Sequence, residues 1–242
     1  MRTRDIQPEW MDQPGLSSER HAAALSGLVR LNSFTGVSAA MYRQLRKLAV
    51  NRNGRAMKVL DIASGAGDVP IAWAKKARRD GLALQVTTID ISHFAAEEQQ
   101  RRASAAGVTI RSLTADCLTA PLPQGFDLVT CSLFMHHLNH SEVVRLLQSM
   151  QVAANDGILI CDLDRSRANL GLVTIGAHML SRSRIVHHDA KVSVRSAFTA
   201  EEFKAIAEKS LSRPVSVWRS FPCRFIATLD TSTVVESSVA FA

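Results

Sequence analysis

The chain has 242 residues, 46% of them hydrophobic and 21% charged, a size and apolar share that suit one α/β-sized domain with room for a sizeable core. No apolar run reaches the roughly 18–20 residues needed to cross a bilayer, and the opening MRTRDIQPEWMDQPG lacks the apolar core of a secretory signal. The net charge of +7 is concentrated late, with 11 Lys or Arg against 4 Asp or Glu between Arg165 and Arg224. Such a segment could face an acidic substrate, nucleic acid or an anionic membrane surface, but for charge alone a solvated face is the first reading.

In chain order, residues 1–16 read as a loose arm. Two amphipathic helices are expected over Ser18–Leu31 and Val37–Val50, with the turn-like Asn32–Gly36 between them. Residues 1–54 thus form an arm and helical cap, and 55–242 the main body. From Met57 onward short apolar runs alternate with helical patterns, which predicts a mostly parallel sheet with crossover helices. The strands are KVLDIA, LQVTTIDI, TIRSLTA, FDLVTCSL and GILICDL. After Asp164 the rhythm breaks for an insertion over 165–196. A helix opened by Thr199 as N-cap with Glu202 three residues on follows. PVSVW and RFIATL then bring the sheet to seven strands, the last expected to run antiparallel. Cys117, Cys131, Cys161 and Cys223 have no metal-ligand spacing and are expected to be buried, reduced thiols in a cytoplasmic protein.

The first strand runs into VLDIASGAGDVP, a glycine turn of the kind that holds nucleotide-like cofactors. A dinucleotide fingerprint needs a third glycine, and Pro70 stands at its place. Asp68, expected at the helix N-cap, would put a negative charge beside any pyrophosphate held there. No Gly-Lys-Ser/Thr follows, which excludes a P-loop. The turn suits a ligand that approaches the backbone closely and carries no phosphate.

At these residues the chain resembles the class I S-adenosylmethionine-dependent methyltransferases, whose fold is a Rossmann-like seven-stranded α/β sheet. Asp61, Ala63, Gly65 and Gly67 match the family's D-x-G-x-G-x-G, with alanine at the first glycine and Ser64 inside the turn. The resemblance implies that Asp90, with Ile91 beside it, ends the second strand as the acid that holds the ribose hydroxyls. It implies that Asp116, followed by Cys117, meets the adenine amino group. The end of the fourth strand, around Ser132, would flank the transferable methyl. S-adenosyl-L-methionine is the implied cofactor.

Methyl transfer requires an aligned nucleophile and often removal of its proton. The fourth strand ends in CSLFMHHL, which is neither the Asn/Asp-Pro-Pro-aromatic motif of base amino-methyltransferases nor the Pro-Cys of cytosine C5 enzymes. Nucleic acid is therefore not the expected partner. A hydrophobic small molecule with an acidic hydroxyl is, and His136, His137 and His188 are the candidate bases. The alternative for His136 and His137 is a structural pair that orients the loop. Asp162 and Asp164 lack a matching acid at the end of strand four, so no metal is expected. Leu170–Leu180, flanked by Arg165, Arg167, Arg182 and Arg184, reads as a lid helix, a core helix, or a peripheral contact with the inner membrane surface through 165–184.

More narrowly, MDQPGLSSERHAAALSGLVRLN, CDLDRSR and SRSRIVHHDAKVSVRSAFTAEEF resemble bacterial methyltransferases associated with type III polyketide synthases. That resemblance implies O-methylation of an oily phenol. C-methylation of a quinone-like precursor and a non-catalytic cofactor-binding protein are the alternatives. The oligomeric state is not legible in the sequence.

Overall fold

The computed structural model describes residues 1, 3–12, 27, 30, 35–52 and 54–231. The helix expected over 18–31 lies, but for two residues, outside the described residues. Seven strands form one sheet: β1 Met57–Ile62, β2 Leu84–Asp90, β3 Arg111–Thr114, β4 Phe126–Ser132, β5 Ala154–Leu163, β6 Ser216–Ser220 and β7 Arg224–Asp230. Their spatial order is β3-β2-β1-β4-β5-β7-β6. The first five are parallel, and β7 inserts antiparallel to both β5 and β6. The fold is the expected Rossmann-like methyltransferase sheet.

Among the described residues seven α-helices accompany it: α1 Val37–Val50, α2 Asp68–Arg79, α3 His93–Ala105, α4 His140–Ala153, α5 Arg167–Leu180, α6 Arg184–Ser196 and α7 Ala200–Leu211. The inner strands are buried on both faces, which is why they read as apolar runs rather than alternating ones. One face, including Leu60, Ile62, Val129 and Ile160, packs on α4 and α7 through Leu146, Leu147 and Phe203. The other, including Val59, Leu128 and Leu159, packs on α1 and α2 through Met41, Leu45 and Trp73. Helix α7 starts with the expected capping box of Thr199 and Glu202, and α4 has a second, of Asn139 and Glu142. All four cysteines are buried and free.

Two local expectations are corrected. Asp68 is the first helical residue of α2, and the N-cap is Gly67 at φ 73°, a left-handed conformation that glycine adopts without steric cost. Nor is the arm loose over residues 4–11. The Arg4 guanidinium donates to the carbonyls of Ser196, His136 and Leu138 at 2.6, 3.0 and 2.9 Å. The Asp5 amide donates to the Arg195 carbonyl at 3.1 Å. Both carboxylate oxygens of Asp189 accept from backbone, Oδ1 from Trp10 at 2.8 Å and Oδ2 from Met11 at 3.1 Å. These partners lie more than 130 residues away along the chain, so no local pattern announces them.

The chain runs outward from β1 to β3, then crosses to β4 on the other side of β1. That reversal opens a crevice at the C-terminal ends of the strands, where ligands of such sheets sit.

Candidate active site

The crevice is a cleft of about 1100 Å³, at or beyond the upper end of the roughly 300–1,000 Å³ typical of small-molecule sites. Gly65, Asp90, Ile91, Asp116 and Cys117 line one end. Asp90 closes the glycine turn: its Oδ2 accepts from the Gly65 amide at 2.7 Å and its Oδ1 from the Ser92 amide at 2.9 Å. Asp116 accepts from the Leu118 amide and the Thr119 hydroxyl, both at 2.9 Å. Each carboxylate keeps lone pairs for a ligand, since an ionised carboxylate offers about four acceptor sites.

Not every expected cofactor residue reaches the cleft. Ala63, Gly65, Asp90, Ile91, Asp116 and Cys117 line it, whereas Asp61, Ser64, Gly67 and Ser132 are not among its lining residues. Asp61 is fully buried beneath the turn; its Oδ1 accepts from the Thr130 hydroxyl at 2.7 Å, and its backbone carbonyl from the Ser64 hydroxyl at 2.8 Å. Burial pushes its pKa up to about 7 despite those hydrogen bonds. Gly67 faces α3: a Cβ there would stand 2.8 Å from Gln99 Cγ. At Gly65 (φ 51°) a Cβ would meet nothing within 4 Å, because that position opens on the cleft. Ala63, at the family's first glycine, is itself held at φ 52°.

At the other end, Glu9, His136 and His137 line the cleft together. The short 3-10 turn Met135–His137 follows β4, and fully buried Met135 anchors it in the core. His136 Nδ1 lies 2.6 Å from Asp162 Oδ1 on β5, and the His136 amide donates to Asp162 Oδ2 at 3.1 Å. On the far side of the ring, Nε2 lies 3.8 Å from Glu9 Oε1. Burial alone would lower the His136 pKa, but Asp162 and Glu9 overcome it and raise it to about 10. The two flanking carboxylates thus favour the protonated ring, a form that donates rather than accepts a proton. His137, with Nε2 3.9 Å from Glu9, is pushed down to about 4 by burial and by the His136 charge, and is neutral. Glu9, 5% exposed and hydrogen-bonded by the Ser193 hydroxyl, is opposed by burial, yet the two histidines hold its pKa below the ordinary carboxylate value.

The ligand atoms of Glu9, His136 and His137 lie within 4.8 Å of one another, close enough to consider a metal ion. His188 is not among the cleft's lining residues: it stacks on Trp10 with centroids 3.9 Å apart, and its Nδ1 lies 3.0 Å from Asp189. Two cleft residues escaped the sequence reading. Glu9 belongs to the arm and carries no motif. Arg224, at the start of β7, donates weakly to the carbonyls of Thr35 and Pro222 at 3.4 Å, and its Nε is buried without a partner.

Residues 59–157 match the family model described as a methyltransferase domain. Residues 59–157 thus form a methyltransferase domain. The chain is 31% identical over 134 residues to the ubiquinone/menaquinone biosynthesis C-methyltransferase UbiE of Burkholderia multivorans, covering 54% of this chain and 53% of that protein. It is 30% identical over 145 residues to the ubiquinone biosynthesis O-methyltransferase of Pseudomonas entomophila, covering 57% and 58%. The chain thus spans a little over half the length of these relatives. The plantazolicin methyltransferase BamL, solved with a desmethyl analogue and SAH, shares the fold at TM-score 0.62 and 16% identity, over 88% of this chain and 97% of that one.

The methyltransferase domain fits S-adenosylmethionine on its own residues. The turn lacks a side chain where the cofactor would approach Gly65, and the acids at Asp68, Asp90 and Asp116 would repel a phosphate but not a neutral nucleoside. Two buried atoms of opposite character, Asp61 Oδ2 and Arg224 Nε, have no partner. Arg224 lines the cleft and suits the carboxylate of the cofactor's amino-acid end, whereas Asp61 lies beneath the turn and does not reach it.

Proposed function

We propose that this chain transfers the methyl group of S-adenosylmethionine to a hydroxyl of an apolar small molecule. The carrying observation is that one cleft joins the glycine turn to a polar knot walled by apolar residues. Leu133, Phe134, Leu172, Val173 and Phe221 supply the apolar wall, and Glu9, His136 and His137 the knot. Bound S-adenosylmethionine supplies an activated methyl carbon. Asp90 and Asp116 would hold its nucleoside, and Arg224 would meet its carboxylate.

His137 is the neutral imidazole of the knot, and it accepts the acceptor's proton or orients its hydroxyl. Glu9 and the His136–Asp162 pair position it: the pair fixes the turn on which His137 sits, and the Glu9 carboxylate favours the imidazolium that proton transfer would create. The apolar wall excludes water, which strengthens these interactions. With the His137 pKa pushed down to about 4, a phenol, with a pKa near 10, is the hydroxyl that asks least of so weak a base. The O-methyltransferase among the relatives supports this reading. The C-methyltransferase supports a second one, methylation of a quinone-like carbon in the same cleft.

Mass-spectrometric screening of phenolic lipids and quinones with methyl-labelled cofactor tests both. A labelled methyl lost on ether cleavage supports oxygen as the acceptor atom, and a retained one supports carbon. Tight cofactor binding with no product across the panel would overturn both and favour a non-catalytic binding protein.

A further inference from the structure

Helix α5 has two unlike faces. Val173 and Ala177, with Leu170 beside them, pack with Val186, Ala190 and Val194 of α6. The opposite face meets no partner among the described residues: Leu172 is 48% exposed, Ile175 61% and Met179 80%. Their spacing places them on one stripe, which Ala168 and Gly171, also exposed, widen. Phe221, in the turn between β6 and β7, is 89% exposed. Leu172 and Phe221 also line the cleft, so the apolar surface is continuous with the mouth of the site.

The rim of this surface is cationic. Arg167, Arg182 and Arg184 are exposed, and no acidic residue occurs between Asp164 and Asp189. Both of those acids are buried and engaged, Asp164 with Arg219 and the Ala200 amide, Asp189 with the arm. A contiguous exposed apolar patch on a soluble chain marks an interaction site. A second copy is a poor occupant, because a two-fold interface sets the same face against itself and would oppose arginine to arginine. An apolar stripe edged by arginines is the composition of a helix that lies in a bilayer interface.

We propose that α5 and Phe221 dock the chain on an anionic lipid surface, with the mouth of the cleft turned toward the bilayer. The apolar stripe enters the acyl boundary while the three arginines meet lipid phosphates. This deepens the function proposed above by naming where an apolar acceptor is drawn from, and it rests on that reading for this point alone.

The test is sedimentation of the full chain with phosphatidylcholine vesicles, with and without phosphatidylglycerol. Binding is expected only to the anionic vesicles, and it should weaken as the Debye length falls from about 10 Å at 0.1 M salt to about 3 Å at 1 M. Ile175→Glu with Met179→Glu should lower the partition more than about tenfold, and each of Arg182→Gln and Arg184→Gln about fivefold. Neither Ile175 nor Met179 lines the cleft, so cofactor affinity by calorimetry should stay at the wild-type value and report an intact fold. No wild-type binding to anionic vesicles at low salt overturns the proposal, as does undiminished binding by the double glutamate variant. So does a dimer, seen by light scattering, that the double variant dissociates. If vesicles bind but no acceptor is ever methylated, the function fails and the docking surface stands. If a detergent-solubilised acceptor is methylated but vesicles are ignored, the docking surface alone fails.

Discussion

Asp162→Asn removes one of the two carboxylates that keep His136 charged, and its effect should depend on pH in a defined direction. Asp162 is 1% exposed and accepts from His136 Nδ1 at 2.6 Å, from the His136 amide at 3.1 Å and from the Leu163 amide at 2.7 Å. The rise of the His136 pKa from 6.5 to about 10 corresponds to about 5 kcal/mol favouring the folded protonated state. Because the folded pKa lies above the unfolded one, that stability is complete below pH 6.5 and is lost as pH rises through about 10. Breaking a buried charge pair by removing one partner costs about 3–5 kcal/mol. The variant should therefore be about 3 kcal/mol less stable than wild type at pH 6.5. Near pH 10.5 the gap should shrink to about 1 kcal/mol, the worth of the backbone hydrogen bonds an amide satisfies less well. Urea denaturation at both pH values, read from midpoints with unchanged slope, measures the difference, in which groups common to both proteins cancel. An equal gap at the two pH values would refute an imidazolium at His136.

The other expectations concern separate parts of the cleft. Asp90→Ala removes the acceptor of the Gly65 amide as well as the acceptor proposed for the ribose, and calorimetry should show cofactor affinity reduced about 10–100-fold. Gly67→Ala places a Cβ 2.8 Å from Gln99 Cγ at φ 73°, and should cost about 2–3 kcal/mol in urea; Gly65→Ala, at φ 51° but with open space, should cost about 1 kcal/mol and lose cofactor affinity as well. Glu9→Gln and His137→Ala should each lower turnover about tenfold or more at saturating cofactor, with cofactor affinity unchanged. His188→Ala, off the cleft, should retain turnover, and full turnover in His137→Ala would remove that residue from the mechanism.

What could be read from the sequence follows distance along the chain. The strands, the glycine turn and the acids at Asp90 and Asp116 are local features: apolar runs end at acidic residues, and the sheet brings those ends together without further information. The polar knot is not local. Asp162 was visible as an acid ending β5, but its partner His136 lies on a 3-10 turn after β4, and only strand adjacency pairs them. Glu9 and Arg4 were invisible for a stronger reason. Polar residues near two prolines read as unstructured, and the hydrogen-bond partners that fasten them are at His136, Leu138, Asp189 and Ser193–Ser196. His188 could be named as a candidate base from its type alone, but its place, stacked on Trp10 and off the cleft, depends on contacts far along the chain.

The fastening of the arm also bears on the order in which the site is built. Residues 4–11 are made before any of the surfaces that hold them, and the last of those, the Phe198 ring under the Arg4 guanidinium, follows about 190 positions later. A segment made long before its partners is thus among the last able to dock, a long-range closure that adds to the time folding takes. Until it docks, Glu9 is absent from the knot, and His136 has only Asp162 to hold its proton. A newly made chain can therefore carry a finished cofactor turn while its acceptor end is still open, and cofactor binding should precede catalytic competence during refolding.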